Sequence, residues 1–316
     1  MKKICIICKN LKDENEFNEE HIFPESIGNK ELKIYRVCKE CNEKRLSKID
    51  ASLTNHKLIE TRRLMYKIPG KKGIIPNPFE NGVLESDPEQ KVKLSFDNQN
   101  RVKIYNIPKI SKPIQNKENK RIDITIDNKD KNNLQDIINK KLNRMGASEL
   151  YREEEQIIEK HPNTIHNLTI DNKQYKKAII KIAYELGFYF LGEKYLKDRV
   201  GEFLRLFLMD DLNEWSNCDL GHIDFIDKED NRLYITLVNL LKIKKYEHLA
   251  FIFIVDQKIH IIIRIFDLID ALIIISKEPD LYRIPEKDLI IIDSRSGEVE
   301  KYKFSQKVTN KNKATI

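Results

Sequence analysis

The amino-acid sequence predicts an α+β fold in two parts, a small N-terminal ββα module and a larger α+β body with a mainly antiparallel sheet. In the first part, two extended segments end near residues 21 and 37, and a helical pattern begins directly after the second. In the second part, two amphipathic helices precede several short apolar segments at hairpin-like spacing. Because hairpins join antiparallel strands, this order favours an α+β fold.

The body contains the clearest periodic patterns. Apolar residues recur at helical spacing in KKAIIKIAYELGFYFLG and KDRVGEFLRLFLMDDL. Strands are predicted in GHIDFID, RLYITLVNLLK, HLAFIFIVD and KIHIIIRIF, and a closing hairpin is predicted around Ser296-Gly297. Upstream, KVKLSFDNQNRVKIYNI predicts another hairpin, and NLQDIINKKLNRMG predicts a helix that stops at Gly146.

Composition shifts divide the chain into five predicted segments. They are the N-terminal module (1–66), a Gly-, Pro- and Asn-rich linker or long loop (67–90), a middle strand-helix region (91–174), a C-terminal α+β domain (175–306) and a disordered tail (307–316). The C-terminal domain contains no second motif: His222, Asp224, His248 and His260 are scattered, and strand or loop structure explains them as well as chemistry does. We therefore expect that domain to select a target, form an oligomer or sense a regulatory ligand.

Hydropathy argues against a membrane protein. The most apolar stretch, KIHIIIRIFDLIDALIIIS, is interrupted by Arg264, Asp267 and Asp270, which indicates buried strands and not a membrane span. The first residues, MKKICIIC, include too short an apolar segment for a signal peptide. We therefore expect a cytoplasmic protein, in a compartment where thiols stay reduced.

Most of the net charge of +7 lies near the N-terminus. Residues 1–72 contain 17 Lys and Arg against 11 Asp and Glu, a formal difference of +6. A small basic module of this kind suits contact with a polyanion such as nucleic acid. The same bias also fits an ordinary solvated surface.

Four of the five cysteines form two Cys-x-x-Cys pairs, which are separated by 29 residues. Cys5 with Cys8, and Cys38 with Cys41, can each direct two sulfurs at one ion from a single turn of backbone. Two such pairs complete the closed tetrahedral shell of a structural Zn²⁺. A redox pair is the alternative, but it lacks the strand-turn-helix pattern that precedes a thioredoxin-type motif.

Polar residues with a different chemistry lie between and beside the cysteines. Glu20 offers a hard oxygen ligand directly before His21, whose imidazole could act as a base. Asn42 follows the last cysteine at the predicted start of the helix. A ββα unit could hold Glu20 and Asn42 around a divalent cation such as Mg²⁺, which needs few protein ligands.

These residues resemble the HNH, or His-Me finger, endonucleases, in the subgroup with a four-cysteine structural zinc that includes the phage junction-resolving type. The resemblance rests on an acid-His pair between two Cys-x-x-Cys knuckles and on an Asn directly after the last Cys. The segment EHIFPESIG is also similar to an E-H-I-F-P-x-x-x-G hallmark of bacterial members. The similarity covers about residues 5–60.

The resemblance implies a ββα-metal fold in which His21 is the general base. Glu20 and Asn42 would bind a catalytic Mg²⁺ or Mn²⁺, and the four cysteines would bind zinc. It also implies cleavage of DNA to 5′-phosphate and 3′-hydroxyl ends. This sequence has Glu where many members have Asp, and it lacks the Gly often found after Cys-Asn. Asn29 or a backbone carbonyl would have to replace the family's middle residue, which orients the base.

Basic residues on or near the predicted helix are candidates for phosphate contact, although a solvated helix face explains them equally well. They are Lys39, Lys44, Arg45 and Lys48. In the same segment, we expect Asp50 to cap the helix or form a salt bridge, and His56 to be an exposed helix residue.

The sequence as a whole favours a metal-dependent endonuclease acting on DNA. The alternatives are a non-enzymatic zinc module that binds nucleic acid or protein, and an HNH nuclease that acts on RNA or is gated by a ligand of the C-terminal domain. A restriction or phage-defence context is suggested by analogy alone. A homo-oligomer formed through the C-terminal domain is a further possibility.

Overall fold

A computed structural model describes residues 2–97, 99, 101–111, 114–116, 119–146, 162–171, 173–209, 219–225, 240–283, 285 and 287–305. The chain forms two compact units, one made of residues 1–76 and 170–316 and the other of residues 77–169. The N-terminal module and the C-terminal body therefore share one unit. The sequence predicted a different division, with a linker over 67–90 and a separate C-terminal domain from residue 175. The predicted tail lies outside the described residues.

The N-terminal part contains two hairpins followed by helices. Its strands are β1 (Lys2–Ile4), β2 (Leu11–Asp13), β3 (Phe17–His21) and β4 (Lys33–Cys38). Its helices are α1 (Lys39–Cys41), a π-helical turn (Asn42–Leu46), α2 (Ser47–Thr54) and α3 (Lys57–Tyr66), with 3-10 turns at Glu14–Glu16 and Glu25–Ile27. The ββα order and the place of the second strand agree with the sequence prediction.

The helix predicted to begin near Cys38 to Asn42 does not run unbroken to Tyr66. The break lies at Asn55 and His56, where His56 has an extended backbone with φ −63° and ψ 129°. His56 was expected to be exposed, and this expectation is wrong. The side chain is buried, and its Nε2 donates to the carbonyl oxygen of Asp171 over 3.1 Å. The sequence near His56 contains no sign of this partner, which lies 115 residues away.

The second unit is built around a four-stranded antiparallel sheet of order β12-β5-β6-β7. The predicted hairpin is confirmed, with Val92 and Leu94 buried on β6 between exposed lysines, as strand alternation requires. The predicted helix ends at Gly146, which has a φ of +67°. The elements are β5 (Asn81–Leu84), β6 (Lys91–Phe96), β7 (Val102–Asn106), β8 (Lys109–Ile110), β9 (Ile114–Asn116), β10 (Asn119–Arg121), β11 (Ile124–Thr125), a 3-10 helix (Asn128–Asn133), α4 (Leu134–Met145) and β12 (Thr164–Ile165).

The C-terminal body packs two helices on a six-stranded sheet. The sheet order is β13-β16-β15-β14-β17-β18, and every described pairing in it is antiparallel. The elements are α5 (Gln174–Leu191), a 3-10 helix (Gly192–Lys197), α6 (Arg199–Met209), β13 (Gly221–Phe225), β14 (Glu247–Val255), β15 (Lys258–Ile265), β16 (Ile269–Ser276), a 3-10 turn (Pro279–Leu281), β17 (Leu289–Asp293) and β18 (Val299–Tyr302). The predicted α+β class is thus confirmed. Most of the predicted strand RLYITLVNLLK lies outside the described residues.

Helix α5 positions the N-terminal module on the body. It contacts α2 of the module as well as α6, β15 and β16 of the body, and most of its residues are buried. A single hydrophobic core runs through the module, α5 and the sheet. It includes Ile6, Ile22, Phe23, Leu46, Ile179, Leu186, Ile261 and Ile263. The module is therefore stabilised by packing on the body as well as by its own residues. Within the part of the chain that the structure describes, no helix combines the length and the apolar character needed to cross a membrane.

Candidate active site and zinc site

The four paired cysteines meet in space. The Sγ atoms of Cys5, Cys8, Cys38 and Cys41 all lie within 4.8 Å of one another, and those of Cys8 and Cys38 are 3.9 Å apart. Zn²⁺ with Zn–S bonds of about 2.3 Å holds tetrahedral sulfurs ~3.8 Å apart. The cysteines therefore fit zinc with little rearrangement. Among the described residues, no other group of three or more His, Cys, Asp or Glu side chains is arranged to hold a metal ion.

Local hydrogen bonds favour the thiolate form of Cys5. A hydrogen bond from the Cys41 thiol, followed by backbone N–H groups including that of Cys38, lowers the pKa of Cys5 to about 4. The Cys38 amide lies 3.3 Å from the Cys5 sulfur. Since zinc binds thiolates and not thiols, this arrangement prepares the site for the metal.

The first zinc knuckle is bound to the body through its backbone. The hydroxyl of Tyr184 donates to the carbonyl oxygen of Ile6 over 2.6 Å, and Nη1 of Arg205 donates to that of Ile7 over 2.8 Å. Both side chains come from the body helices α5 and α6. The cysteine cluster therefore lies where the two hairpins of the module meet each other and the body.

His21 lies at the end of β3 and is partly buried. Its direct cross-strand partner on β4 is Lys33. Partial burial, and then the charge of Lys33, lower the pKa of His21, while Glu25 and Glu19 oppose this effect. A neutral imidazole is the form that can accept a proton, so the site keeps His21 ready to act as a base near neutral pH.

Asn42 is brought to the same strand by the π-helical turn. Its Nδ2 donates to Oδ1 of Asn18 over 3.1 Å and to the carbonyl oxygen of Glu19 over 3.0 Å. The amide thus lies against the peptide bond that joins Glu19 to Glu20. The strand carries a bulge here, with a register shift between Asn18 and Glu20. Bulges and π-helical turns are both common at functional sites.

Glu20 occupies a more buried position than the sequence suggested. Its relative exposure is 3%, and its Oε1 lies 2.5 Å from Nζ of Lys181 on α5. The same ammonium contacts Asp50 at 3.3 Å and Glu185 at 3.1 Å. Asp50 therefore forms a salt bridge, one of the two roles expected for it. Sequence analysis missed Lys181 because a lysine inside a helical pattern gives no sign of burial.

The oxygen donors at this position suit a hard divalent cation. Mg²⁺ and Mn²⁺ accept one or two protein oxygens and complete their shells with water and phosphate. Glu20 supplies a carboxylate, and Asn42 supplies an amide whose nitrogen already faces the Glu19–Glu20 peptide. In donor type the two residues fit such an ion, whereas the Glu20 carboxylate is buried and its Oε1 is paired to Lys181.

The loop after His21 is shaped by Asn29. Nδ2 of this buried side chain donates to the carbonyl oxygens of Phe23 (2.7 Å) and Leu32 (2.9 Å), and its Oδ1 accepts from the Leu32 amide. Asn29, considered above for orienting His21, thus has a structural role in closing the loop. Gly28 ends the EHIFPESIG segment with a φ of +104°, and a Cβ there would overlap the carbonyl oxygen of Ser294. Both constraints require glycine at this position.

The predicted phosphate-binding residues differ in their availability. Lys39 and Lys48 are exposed, and the side chain of Lys44 is 78% exposed beside Glu40. Nη1 of Arg45, in contrast, donates to the carbonyl oxygen of Met209 over 2.7 Å.

Two further lysines act on the imidazole through their charge. Lys33 is the cross-strand partner of His21, and Lys71 lies 3.5 Å from Glu25 in the segment after His21. Both lysines lower the pKa of His21 through their charge. Sequence analysis did not single them out. The register of the β3–β4 hairpin was the signal that could have identified Lys33.

Comparison with known proteins gives one match. Residues 5–58 match the family model described as HNH endonuclease. The searches of curated proteins and of solved structures each found no match. The matched segment contains all four zinc-site cysteines together with Glu20, His21 and Asn42. The N-terminal module is therefore similar to HNH endonucleases over residues 5–58.

Proposed function

We propose that the protein is a metal-dependent endonuclease that hydrolyses phosphodiester bonds in DNA. His21 is the general base, and Glu20 and Asn42 hold a catalytic Mg²⁺ or Mn²⁺. One observation supports this most strongly: the segment that matches HNH endonucleases folds so that the Asn42 amide donates to the carbonyl oxygen of Glu19, directly before Glu20 and His21 on β3.

Each step of the reaction requires a group at this strand end. The neutral imidazole of His21 takes a proton from water, whose oxygen then forms a bond to phosphorus as the bond to the 3′ oxygen breaks. The 3′ oxygen takes a proton from solvent water, and protonated His21 later releases its proton to solvent, which leaves 5′-phosphate and 3′-hydroxyl ends. The divalent cation, when bound, neutralises charge on the phosphate and on the leaving oxygen. Glu20 and Asn42 supply the oxygens that would hold it.

Substrate binding is proposed to use lysines around this centre. Lys33 is the cross-strand partner of His21, with its ammonium 2.9 Å from Glu19, and Lys71 lies 3.5 Å from Glu25. Both can contact the phosphates next to the scissile bond. The exposed Lys39, Lys44 and Lys48 can contact phosphates further along the duplex. Arg45 is less available for phosphate contact, because its guanidinium donates to the carbonyl oxygen of Met209.

The wider biological setting is also a proposal. Fusion of a small nuclease module to a larger body is consistent with target selection, oligomerisation or ligand sensing by residues 175–306. A restriction or phage-defence role in the cytoplasm follows by analogy with such fusions.

Supercoiled plasmid provides the test of the reaction. Zinc-loaded protein is incubated with Mg²⁺, with Mn²⁺ or with EDTA, and a structured RNA is treated in parallel. Metal-dependent nicking or linearisation of the plasmid is expected. Cleavage of RNA alone would show that the substrate is RNA and not DNA. Failure to cut either substrate would favour a non-enzymatic zinc module.

A further inference from the structure

Lys181 of the body helix α5 is fully buried at the end of strand β3. Its ammonium lies 2.5 Å from Glu20, 3.1 Å from Glu185 and 3.3 Å from Asp50. It also donates to the carbonyl oxygen of His21 over 2.8 Å and lies 3.4 Å from that of Ile22. The contacts therefore reach residues 20, 21 and 22 in succession.

The partners of Lys181 compensate the cost of burying its charge. An ammonium without partners is costly to bury, and three carboxylates without a cation would be equally costly. Here β3, α2 and α5 each contribute an oxygen to the same nitrogen. The directions of its hydrogen bonds are thereby fixed, and the backbone that carries His21 is fixed with them.

An ion pair that served only to stabilise the fold would not need to contact the main chain of His21, the proposed base. In contrast, Tyr184, three residues further along α5, donates to Ile6 in the zinc knuckle. One helix therefore contacts both the zinc knuckle and the strand end that carries His21. The two contacts can be removed separately, which makes Tyr184 a matched control for Lys181.

We propose that Lys181 is a positioning residue for His21 and Glu20, so that a helix of the C-terminal body completes the nuclease site. Lys181 acts through the residues that it holds and does not touch the substrate. Its ammonium fixes the main chain of His21 and one carboxylate oxygen of Glu20. The inference rests on the proposed nuclease function, since it assigns the residue that orients that centre.

The full-length chain is compared as wild type, Lys181→Met, Lys181→Arg and Tyr184→Phe, all with zinc content confirmed. Plasmid cleavage gives kcat and KM. Hydrogen–deuterium exchange compares backbone amides in peptides covering residues 17–24 with those covering residues 5–10. In case Lys181→Met does not fold, the substitution is repeated in a Glu185→Gln background, which removes one of the carboxylates left without a cation.

Lys181→Met is expected to lower kcat about 100-fold with KM for DNA unchanged, because displacement of a catalytic group by about 1 Å has an effect of that size. Exchange should rise in residues 17–24 and stay unchanged in residues 5–10. Lys181→Arg should restore part of kcat. Tyr184→Phe should show the opposite exchange pattern with kcat near that of the wild type.

Two results would overturn the proposal. One is an unchanged kcat in folded, zinc-loaded Lys181→Met. The other is an increase in exchange spread evenly over both peptides, as simple destabilisation would produce. If the wild type cuts no nucleic acid, the nuclease function fails, and the exchange pattern still decides whether Lys181 holds the His21 strand.

Discussion

The Nε2 atom of His248 lies 2.8 Å from the carbonyl oxygen of Ile27, so strand β14 of the body is hydrogen-bonded to the loop that follows His21. The backbone amide of Phe266 donates to Nδ1 of the same ring over 3.1 Å. Nδ1 is thus an acceptor, and the proton of the neutral ring is on Nε2. Phe23 stacks on this ring with centroids 5.7 Å apart. The body thereby holds both ends of the segment from Phe23 to Ile27.

Burial lowers the pKa of His248 from 6.5 to about 4, with Arg264 lowering it further and Asp293 opposing the shift. The unfolded chain therefore binds a proton in a range where the folded chain does not. The stability that depends on the neutral ring is complete above pH 6.5 and is lost as the pH falls towards 4. Asp50, whose pKa burial raises to about 6, titrates in the same range with the opposite sign, because its contribution is lost as the pH rises.

A comparison with His248→Gln isolates the histidine. The difference in free energy of unfolding between wild type and variant should shrink by about 1 kcal/mol when the pH falls from 7.5 to 5.5. Urea unfolding at both pH values measures it, and the contribution of Asp50 cancels in the difference. An equal difference at the two pH values would contradict a buried neutral ring.

Gly28→Ala is predicted to destabilise the protein by about 2 kcal/mol or more. The new Cβ would overlap the backbone of Ser294, and alanine rarely adopts a φ of +104°. Gly73→Ala is the matched control, since Gly73 has a φ of +72° but a Cβ there meets open space among the described residues. Thermal unfolding of both variants tests this, and equal losses would show that contact with Ser294 is unimportant.

The cysteine cluster predicts one bound zinc ion per chain. Cys38→Ser should lose the metal and lower the melting temperature, because Cys38 is buried within the cluster and its sulfur is one of the four ligands. Cys218→Ser, at the fifth cysteine, should keep the metal; this residue lies outside the described ranges. Elemental analysis gives the zinc-to-protein ratio. A full complement of zinc in Cys38→Ser would refute the assignment.

The lysines beside His21 predict a specific salt dependence of DNA binding. Each phosphate contact contributes about 0.9 to the slope of log K against log salt, so Lys33→Gln with Lys71→Gln should lower the slope by about 2. Fluorescence anisotropy in a His21→Ala background measures binding without cleavage. Lys245→Gln with Lys277→Gln removes the same charge from exposed positions of the C-terminal body and should leave the slope unchanged. If only the control pair lowered this slope, the DNA would contact the C-terminal body and not Lys33 and Lys71.

The local parts of the site could be predicted because their signals are close together in the chain. Two cysteine pairs, an acid-His pair and an Asn after a Cys lie within 38 residues, and their spacing implied the hairpin and the helix start. Part of the six-stranded sheet was also foreseeable, since β14, β15 and β16 follow one another as hairpins, as do β17 and β18. The pairings of β13 with β16 and of β14 with β17 join strands that are not consecutive, and hairpin spacing does not predict them.

The supports of the site could not be predicted, because they come from distant parts of the chain. Lys181 lies 160 residues from His21, and His248 lies 221 residues from Ile27. Periodicity places Lys181 in a helix but does not reveal that three carboxylates surround it. The break before α3 was missed for the same reason, since the partner of His56 is the backbone of Asp171.

The proposed role of His21 as the base of a phosphodiester hydrolase can be tested directly. The experiment measures the single-turnover rate of plasmid nicking, at saturating Mg²⁺, by wild type, His21→Ala and His222→Ala. His222 is an exposed histidine on β13 and serves as the matched control. We expect at least a 100-fold loss in folded, zinc-loaded His21→Ala, as removal of a general base causes, and no loss in His222→Ala. Cleavage by His21→Ala at the wild-type rate would contradict this role.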